Sequence, residues 1–385
     1  MFELTLEERD RRWKIIREAM KKQNLECLIV WGSLSSNPNI TYLSSLLHQG
    51  YIVFPLEGDP TFLSFIGGPH YYNPWIADNR TGHPKYGKVI SERLRELHLE
   101  KARIGIVQPS ATTAEMGFPY VTYLSLTENF PKAKFEDATH ILEEARMIKS
   151  PAEIRCIELA CEAGEKAIQA IIDTAKPGVR DYEVKAKMMD TLFRAGCEPG
   201  SLILYYSGKD IIHGGQGGMI CRYTERKLEK GDIIHTEFSA TYLGYSAQFN
   251  QPFSIGEPDE DWKKIFSIAE EAFNNGFNTL KPGITAGELN EALLSPVRKA
   301  GYVARTPPFH GMGLTLEEPV GSFPAQPDYK PNLDRVIEPG MVIELEPPVV
   351  RPDFKRGTTL GCPVLVTETG CRLLSKNWKP EVKII

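Results

Sequence analysis

Two glutamates, Glu237 and Glu346, stand at equivalent points of a sequence that repeats itself. Lys176-Pro177-Gly178 opens a segment closing with Ala195-Gly196, and Lys281-Pro282-Gly283 opens one closing with Ala300-Gly301, both ends displaced by 105 residues. Leu228-Glu-Lys-Gly-Asp-Ile-Ile then leads to Glu237 and Ile337-Glu-Pro-Gly-Met-Val-Ile to Glu346, displaced by 109. Two copies related by a local two-fold would bring both carboxylates to one central cleft. Converging carboxylates can exchange protons, hold a hard cation or bind a cationic substrate. With nothing positive between them they repel, unless one keeps its proton. Three histidines add to this chemistry. His310 precedes a Gly-Met-Gly turn that lets backbone approach a ligand, His235 lies two residues before Glu237 on the same strand face, and His213 sits in the Gly-rich stretch Ile-Ile-His-Gly-Gly-Gln-Gly-Gly.

The elements that must position these groups are legible in part. Each half reads as a helix, a Gly-containing turn, and an apolar strand ending in an acid, which makes an α+β domain. Ser150-Pro151-Ala152-Glu153 carries a capping Ser, Pro at the first helical position and an acid in the first turn, predicting a helix to about Ala175. Upstream, a helix over Leu6–Lys22, strands at Cys27–Trp31, Tyr51–Pro55, Thr61–Phe65 and Arg103–Gln108, and a helix over Val89–Leu97 alternate as in a small α/β domain. We place the boundary so that residues 1–146 form the first domain and 147–385 the second.

Composition narrows the function classes. With 385 residues, 42% hydrophobic and 25% charged, the chain can bury a large core, and a net charge of -5 provides no broad attraction to nucleic acid or anionic lipid. No apolar run approaches the roughly 18 residues of a membrane span. The acidic start lacks a signal core, so a cytoplasmic location is expected. Seven scattered cysteines without a Cys-x-x-Cys pair argue against a disulfide framework or thiolate zinc. Cys221 or Cys362 as a nucleophile is the minority reading beside small buried thiols.

Several motifs together resemble the pita-bread superfamily of Xaa-Pro aminopeptidases, prolidases, methionine aminopeptidases and creatinase. They are Lys149-Ser-Pro-Ala-Glu-Ile-Arg, Leu228-Glu-Lys-Gly-Asp, Gly244-Tyr245-Ser-Ala-Gln248, His310-Gly-Met-Gly-Leu, Gly340-Met-Val-Ile-Glu-Leu-Glu346-Pro and Val364-Leu-Val-Thr-Glu-Thr-Gly. Asn39-Ile-Thr-Tyr42-Leu43 is similar to the N-terminal domain of the creatinase and Xaa-Pro peptidase branch. The resemblance implies a creatinase-type α/β domain followed by a pita-bread domain. It also implies a homodimer in which the first domain closes the partner's active site, with His48 and the stretch His70-Tyr-Tyr-Asn-Pro-Trp75-Ile-Ala-Asp-Asn-Arg80 as the candidates for doing so.

The metallopeptidases of that superfamily hold two ions with two Asp, one His and two Glu. Mapped by motif, these positions are Glu237, Gln248 eleven residues on, His310, Glu346 and Gly361. Only His310 and Glu346 keep the family's residue. Two adjacent divalent ions need bridging carboxylates to offset their repulsion, and the neutral Gln248 and Gly361 stand where the bridges should be. The expectation is therefore no metal, or one ion on Glu237, His310 and Glu346. Creatinase implies the alternative, metal-free hydrolysis: a glutamate matched by Glu346 binds substrate and a loop histidine serves as acid and base. The lead reading is thus a metal-independent, creatinase-like hydrolase of a C–N bond in a small nitrogen-containing substrate. His213, His310 and Glu346 would be catalytic, and Glu237, Gln248, Glu317, Phe309, Tyr245 and Arg222 would join His48, Trp75 and Arg80 in binding substrate. Two alternatives stand beside it: an Xaa-Pro dipeptidase or aminopeptidase with an altered single-metal site, and a silent pita-bread binding module.

Overall fold

A computed structural model describes residues 2–32, 38–46, 48–65, 75–108, 117–212, 225–315, 318–321 and 332–385. They fall into two compact units, Met1–Arg146 and Met147–Ile385.

In the first unit, strands β1 (Cys27–Gly32), β2 (Gly50–Pro55), β3 (Thr61–Ser64), β4 (Asp78–Thr81), β5 (Arg103–Ile106) and β6 (Lys134–Asp137) form one mixed sheet in the order β4-β3-β2-β1-β5-β6. Helices α1 (Leu6–Gln23), α2 (Pro38–Ser44), α3 (Tyr86–Glu96), α4 (Tyr120–Asn129) and α5 (Thr139–Met147) complete it. β1 and β2 are almost wholly buried, as their unbroken apolar runs require. On one face Ile29, Val53 and Ile104 pack with Ile90 and Leu94 of α3. The strand β4 escapes a reading by periodicity because Asp-Asn-Arg-Thr is polar throughout.

The second unit opens with α6 (Pro151–Thr174), whose capping box is formed as expected: Ser150 Oγ accepts from Glu153 N at 3.2 Å and Glu153 Oε2 accepts from Ser150 N at 2.8 Å. α7 (Asp181–Arg194) leads into β7 (Glu198–Gly208), β8 (Ile233–Tyr242) and β9 (Tyr245–Ser254). Next come α8 (Glu260–Thr279), α9 (Ala286–Lys299), β10 (Phe309–Gly311), β11 (Glu318–Gly321) and β12 (Val342–Leu345). The chain ends with β13 (Pro348–Val350), β14 (Gly357–Thr359), β15 (Cys362–Val366), β16 (Cys371–Leu373) and β17 (Lys383–Ile384). One sheet runs β17-β9-β8-β7 and another β11-β10-β12-β15-β16, while β13 and β14 pair separately.

The repeat is local structure as well as sequence. α7 and α9 are displaced by 105 at both ends. Gly178 and Gly283 have φ of 90° and 89°, Gly196 and Gly301 77° and 80°, Gly231 and Gly340 87° and 86°. Left-handed backbone at these turns is why glycine recurs there. The amide of Gly178 donates to the Leu228 carbonyl, and that of Gly283 to the Ile337 carbonyl, so each Lys-Pro-Gly turn is tied to the segment that leads into β8 or β12.

α6 lies on the β8–β9 hairpin through a glycine. A Cβ at Gly164 would run into the Phe249 ring, which is fully buried and stacked on Phe238 with centroids 5.7 Å apart. We expect Gly164→Ala to cost about 1–3 kcal/mol through overpacking. Chemical denaturation should show a lower midpoint at unchanged m-value, and a neutral or stabilising result would contradict the packing described.

Candidate active site

The site is assembled by strand register. β8 and β9 pair antiparallel, with Glu237 opposite Asn250 and Ser239 opposite Gln248, so Glu237, Gln248 and Asn250 share one face. In the second sheet His310 on β10 pairs with Glu344 on β12, and Glu344 pairs with Pro363 on β15. Glu346, two residues beyond Glu344, follows the end of β12. The sheets are joined by an isolated bridge in which the Asn250 amide donates to the Gly361 carbonyl at 3.0 Å and the Gly361 amide to the Asn250 carbonyl at 2.9 Å. Across that seam Gln248 Nε2 donates to Glu346 Oε2 at 3.0 Å and to Glu237 Oε1 at 3.4 Å, and Asn250 Nδ2 donates to Glu346 Oε2 at 2.9 Å. The internal repeat therefore does bring its two acids together.

His310 Nδ1 lies 3.1 Å from the Gly311 carbonyl oxygen, which can only accept, so this nitrogen carries the proton. Burial holds the imidazole below its ordinary pKa and thus neutral, leaving a lone pair on Nε2. That lone pair faces Glu346 Oε1 at 3.4 Å. Two acceptors opposed in this way call for a proton or a cation between them.

Glu344 was not singled out by the sequence reading. It is wholly buried, and neither carboxylate oxygen accepts a hydrogen bond. Gln248 Oε1 and Asn250 Oδ1 are likewise buried without donors. A period of two was the available signal: Glu344-x-Glu346 and Gln248-x-Asn250 each put two polar side chains on one strand face. Burial pushes the Glu344 carboxyl well above the usual range, with Glu346 and Glu237 adding to it. Glu346 is raised by burial and by Glu237, against which Asn250 and Gln248 act.

A raised carboxyl stabilises the folded chain while it is neutral. The unfolded chain ionises first, so stability is lost as pH rises through the folded pKa. His310, with a lowered pKa, acts oppositely and only below about 6.5. Chelator-treated protein should therefore lose thermal stability as pH rises above that value. Calorimetry showing a rise instead would contradict the buried, coupled acids.

The remaining predicted residues fall in several places. Phe309 neighbours His310 on β10 and so points to the opposite face, into the core. Tyr245 likewise alternates away from Gln248; its hydroxyl donates to Glu153 Oε1 at 2.8 Å, tying β9 to the start of α6. These two, expected to touch substrate, are packing residues here. His235 is buried on the same face as Glu237, with Nδ1 3.3 Å from Thr358 Oγ1. His48, Trp75 and Arg80 belong to the first unit, where His48 Nδ1 donates to the Gln49 carbonyl, Trp75 carries the Arg12 guanidinium over its ring, and Arg80 forks onto Asp78 and Glu96. Cys362 is fully buried with its thiol pushed up by burial, which removes it as a nucleophile. His213, Arg222, Glu317 and Cys221 lie outside the described residues, as do residues 70–74.

A helix-and-strand unit used twice, with its two acids meeting across joined sheets, defines a pita-bread domain. The chain belongs to metallopeptidase family M24: residues 155–368 match that family, and residues 12–148 match the creatinase/prolidase N-terminal domain. It is 27% identical over 371 residues to the Xaa-Pro dipeptidase of Pyrococcus horikoshii, covering 94% of this chain and 96% of that protein. It is 29% identical over 274 residues to the Xaa-Pro dipeptidase of Pyrococcus furiosus, covering 69% and 74%. Among solved structures, the prolidase of Pyrococcus horikoshii superposes with a TM-score of 0.78 at 25% identity, over 97% of this chain and all (100%) of that one. The Xaa-Pro dipeptidase of Bacillus anthracis shares the fold with a TM-score of 0.80 at 22% identity, over 98% and 100%.

Membership in a metallopeptidase family overturns the expectation of no cofactor, and with it the metal-independent reading. The residues agree with this correction. Hard oxygen acceptors without donors and an imidazole lone pair, held by an Nδ1 bond to a backbone carbonyl, suit a divalent cation. Counting motif positions one at a time missed the acid that Glu344 adds. Among the described residues no three His, Cys, Asp or Glu side chains already converge on one point. A cation would have to draw the carboxylates in by side-chain rotation.

Proposed function

We propose that the protein is a metal-dependent Xaa-Pro dipeptidase, hydrolysing the amide bond between an N-terminal residue and proline. The observation that carries this is the contact of His310 with Glu346, linked to Glu237 through Gln248 at the seam of the two sheets, on a chain aligned nearly end to end with an Xaa-Pro dipeptidase. Glu237, His310 and Glu346 would hold the cation. When bound it would lower the pKa of an attacking water and polarise the scissile carbonyl. The chain's own contribution is placement. Gln248 and Asn250 hold the Glu346 carboxylate in one orientation, and the Gly311 carbonyl fixes the tautomer of His310. Burial keeps bulk water from screening their charges.

The homodimer and the cytoplasmic location belong to this proposal. The latter is supported by the free thiols of Cys27, Cys156, Cys161, Cys197, Cys362 and Cys371. The test is a panel of Xaa-Pro dipeptides, Xaa-Ala dipeptides and Xaa-Pro tripeptides, assayed with added Mn2+, Co2+ or Zn2+. Turnover should be confined to the Xaa-Pro dipeptides. Preference for the tripeptides would move the assignment to an aminopeptidase, and no turnover of any peptide would favour a binding module.

A further inference from the structure

We propose that Glu344 supplies the cation-binding carboxylate that the chain lacks at position 361, so that the acid has moved from the start of β15 to the neighbouring strand β12. This rests on the metallopeptidase reading above and concerns which residues carry it out.

Three observations lead there. A Cβ built on Gly361 would meet Glu344 Oε1 at 2.9 Å and the Cα of Glu346 at 3.1 Å, so the Glu344 carboxylate already fills the space where a side chain at 361 would begin. The same Cβ would strike the Leu345 carbonyl oxygen, so this backbone leaves no room for a glutamate there. Second, Glu344 is the cross-strand partner of His310 and shares a strand face with Glu346, which places it beside both residues expected to hold the cation. Third, it is fully buried and neither oxygen has a donor, although the Asn250 amide that bonds Glu346 lies near enough to ease its charge. A glutamate kept in such a place for packing alone would be replaced by an apolar residue at no loss. Gln248 Oε1 and Asn250 Oδ1 are also buried without donors, while the amide nitrogens of the same side chains bond the Glu346 carboxylate. Buried oxygen acceptors left without a partner are what a cation can satisfy.

Chelator-stripped full-length protein titrated with MnCl2 by calorimetry tests this, with thermal unfolding run alongside with and without Mn2+. Glu344→Gln should lower Mn2+ affinity by about ten- to a hundredfold or remove a bound equivalent. The stripped variant should melt no lower than stripped wild type, while the rise in melting temperature on adding Mn2+ shrinks or disappears. If Glu344→Gln does not fold, Glu344→Met makes the same comparison. Wild-type affinity, stoichiometry and melting shift in the Glu344 variant, with all three lost in Glu346→Gln, would overturn the assignment while leaving the metallopeptidase reading intact. No Mn2+ binding to wild type would overturn both.

Discussion

Exhaustive chelation should abolish peptide hydrolysis, and adding back a divalent cation should restore it. Burial gives the expectation its force. Glu237 and Glu346 lie within the reach of one Gln248 amide, and a neutral imidazole turns its lone pair toward Glu346. Uncatalysed amide hydrolysis is slow enough that losing water activation and carbonyl polarisation together removes many orders of magnitude, on the order of 10⁶-fold. The loss should be reversible, because the Gln248 and Asn250 amides partly offset the acids and backbone hydrogen bonds between Asn250 and Gly361 join the sheets at the seam. The measurement is initial rate on an Xaa-Pro dipeptide after dialysis against EDTA, then after titration with Mn2+. Full activity in the chelated protein would return the metal-free reading to first place.

Glu346→Gln should lower kcat/KM by more than about a hundredfold while leaving the stripped protein as stable as wild type or slightly more so. The carboxylate accepts from Gln248 and Asn250 and faces His310, so one substitution changes the whole cluster. Gln keeps the shape and removes a charge that Glu237 repels and burial penalises. Both amides donate to the same oxygen, Oε2, so a Gln carbonyl can accept both while its NH2 faces the His310 lone pair, and a purely structural role for Glu346 would leave turnover near normal. Activity and stability measured on the same preparation separate the cases. Near-normal turnover, or unfolding of the stripped variant, would remove Glu346 from the active site.

Much of this was legible in the residues because it rests on local rules. Left-handed turns need glycine, and the recurrence of Gly178, Gly196 and Gly231 at Gly283, Gly301 and Gly340 marks a unit used twice. A capping Ser and a following Pro set the start of α6. Order and spacing of motifs around His310 and Glu346 are enough to recognise the superfamily. The placement of Phe309 and Tyr245 follows from a rule equally local. They stand one and three residues from His310 and Gln248, and a strand turns residues an odd number apart to opposite faces.

What the sequence by itself determined is the repeat, the two-unit organisation of helices and strands, and the meeting of Glu237 with Glu346. The cofactor question turned on membership in a metallopeptidase family, and the composition of the cluster depended on tertiary structure. Gln248 and Gly361 read singly as lost carboxylates, which argued against metal. Only the pairing of β12 with β10 and β15 brings Glu344 over Gly361 and beside His310, and only the bridge from Asn250 to Gly361 adds the two amides. Motif alignment compares one position with one position. Space within a folded sheet can be filled from any neighbouring strand, so a group missing at one residue can be supplied by another that no linear comparison pairs with it.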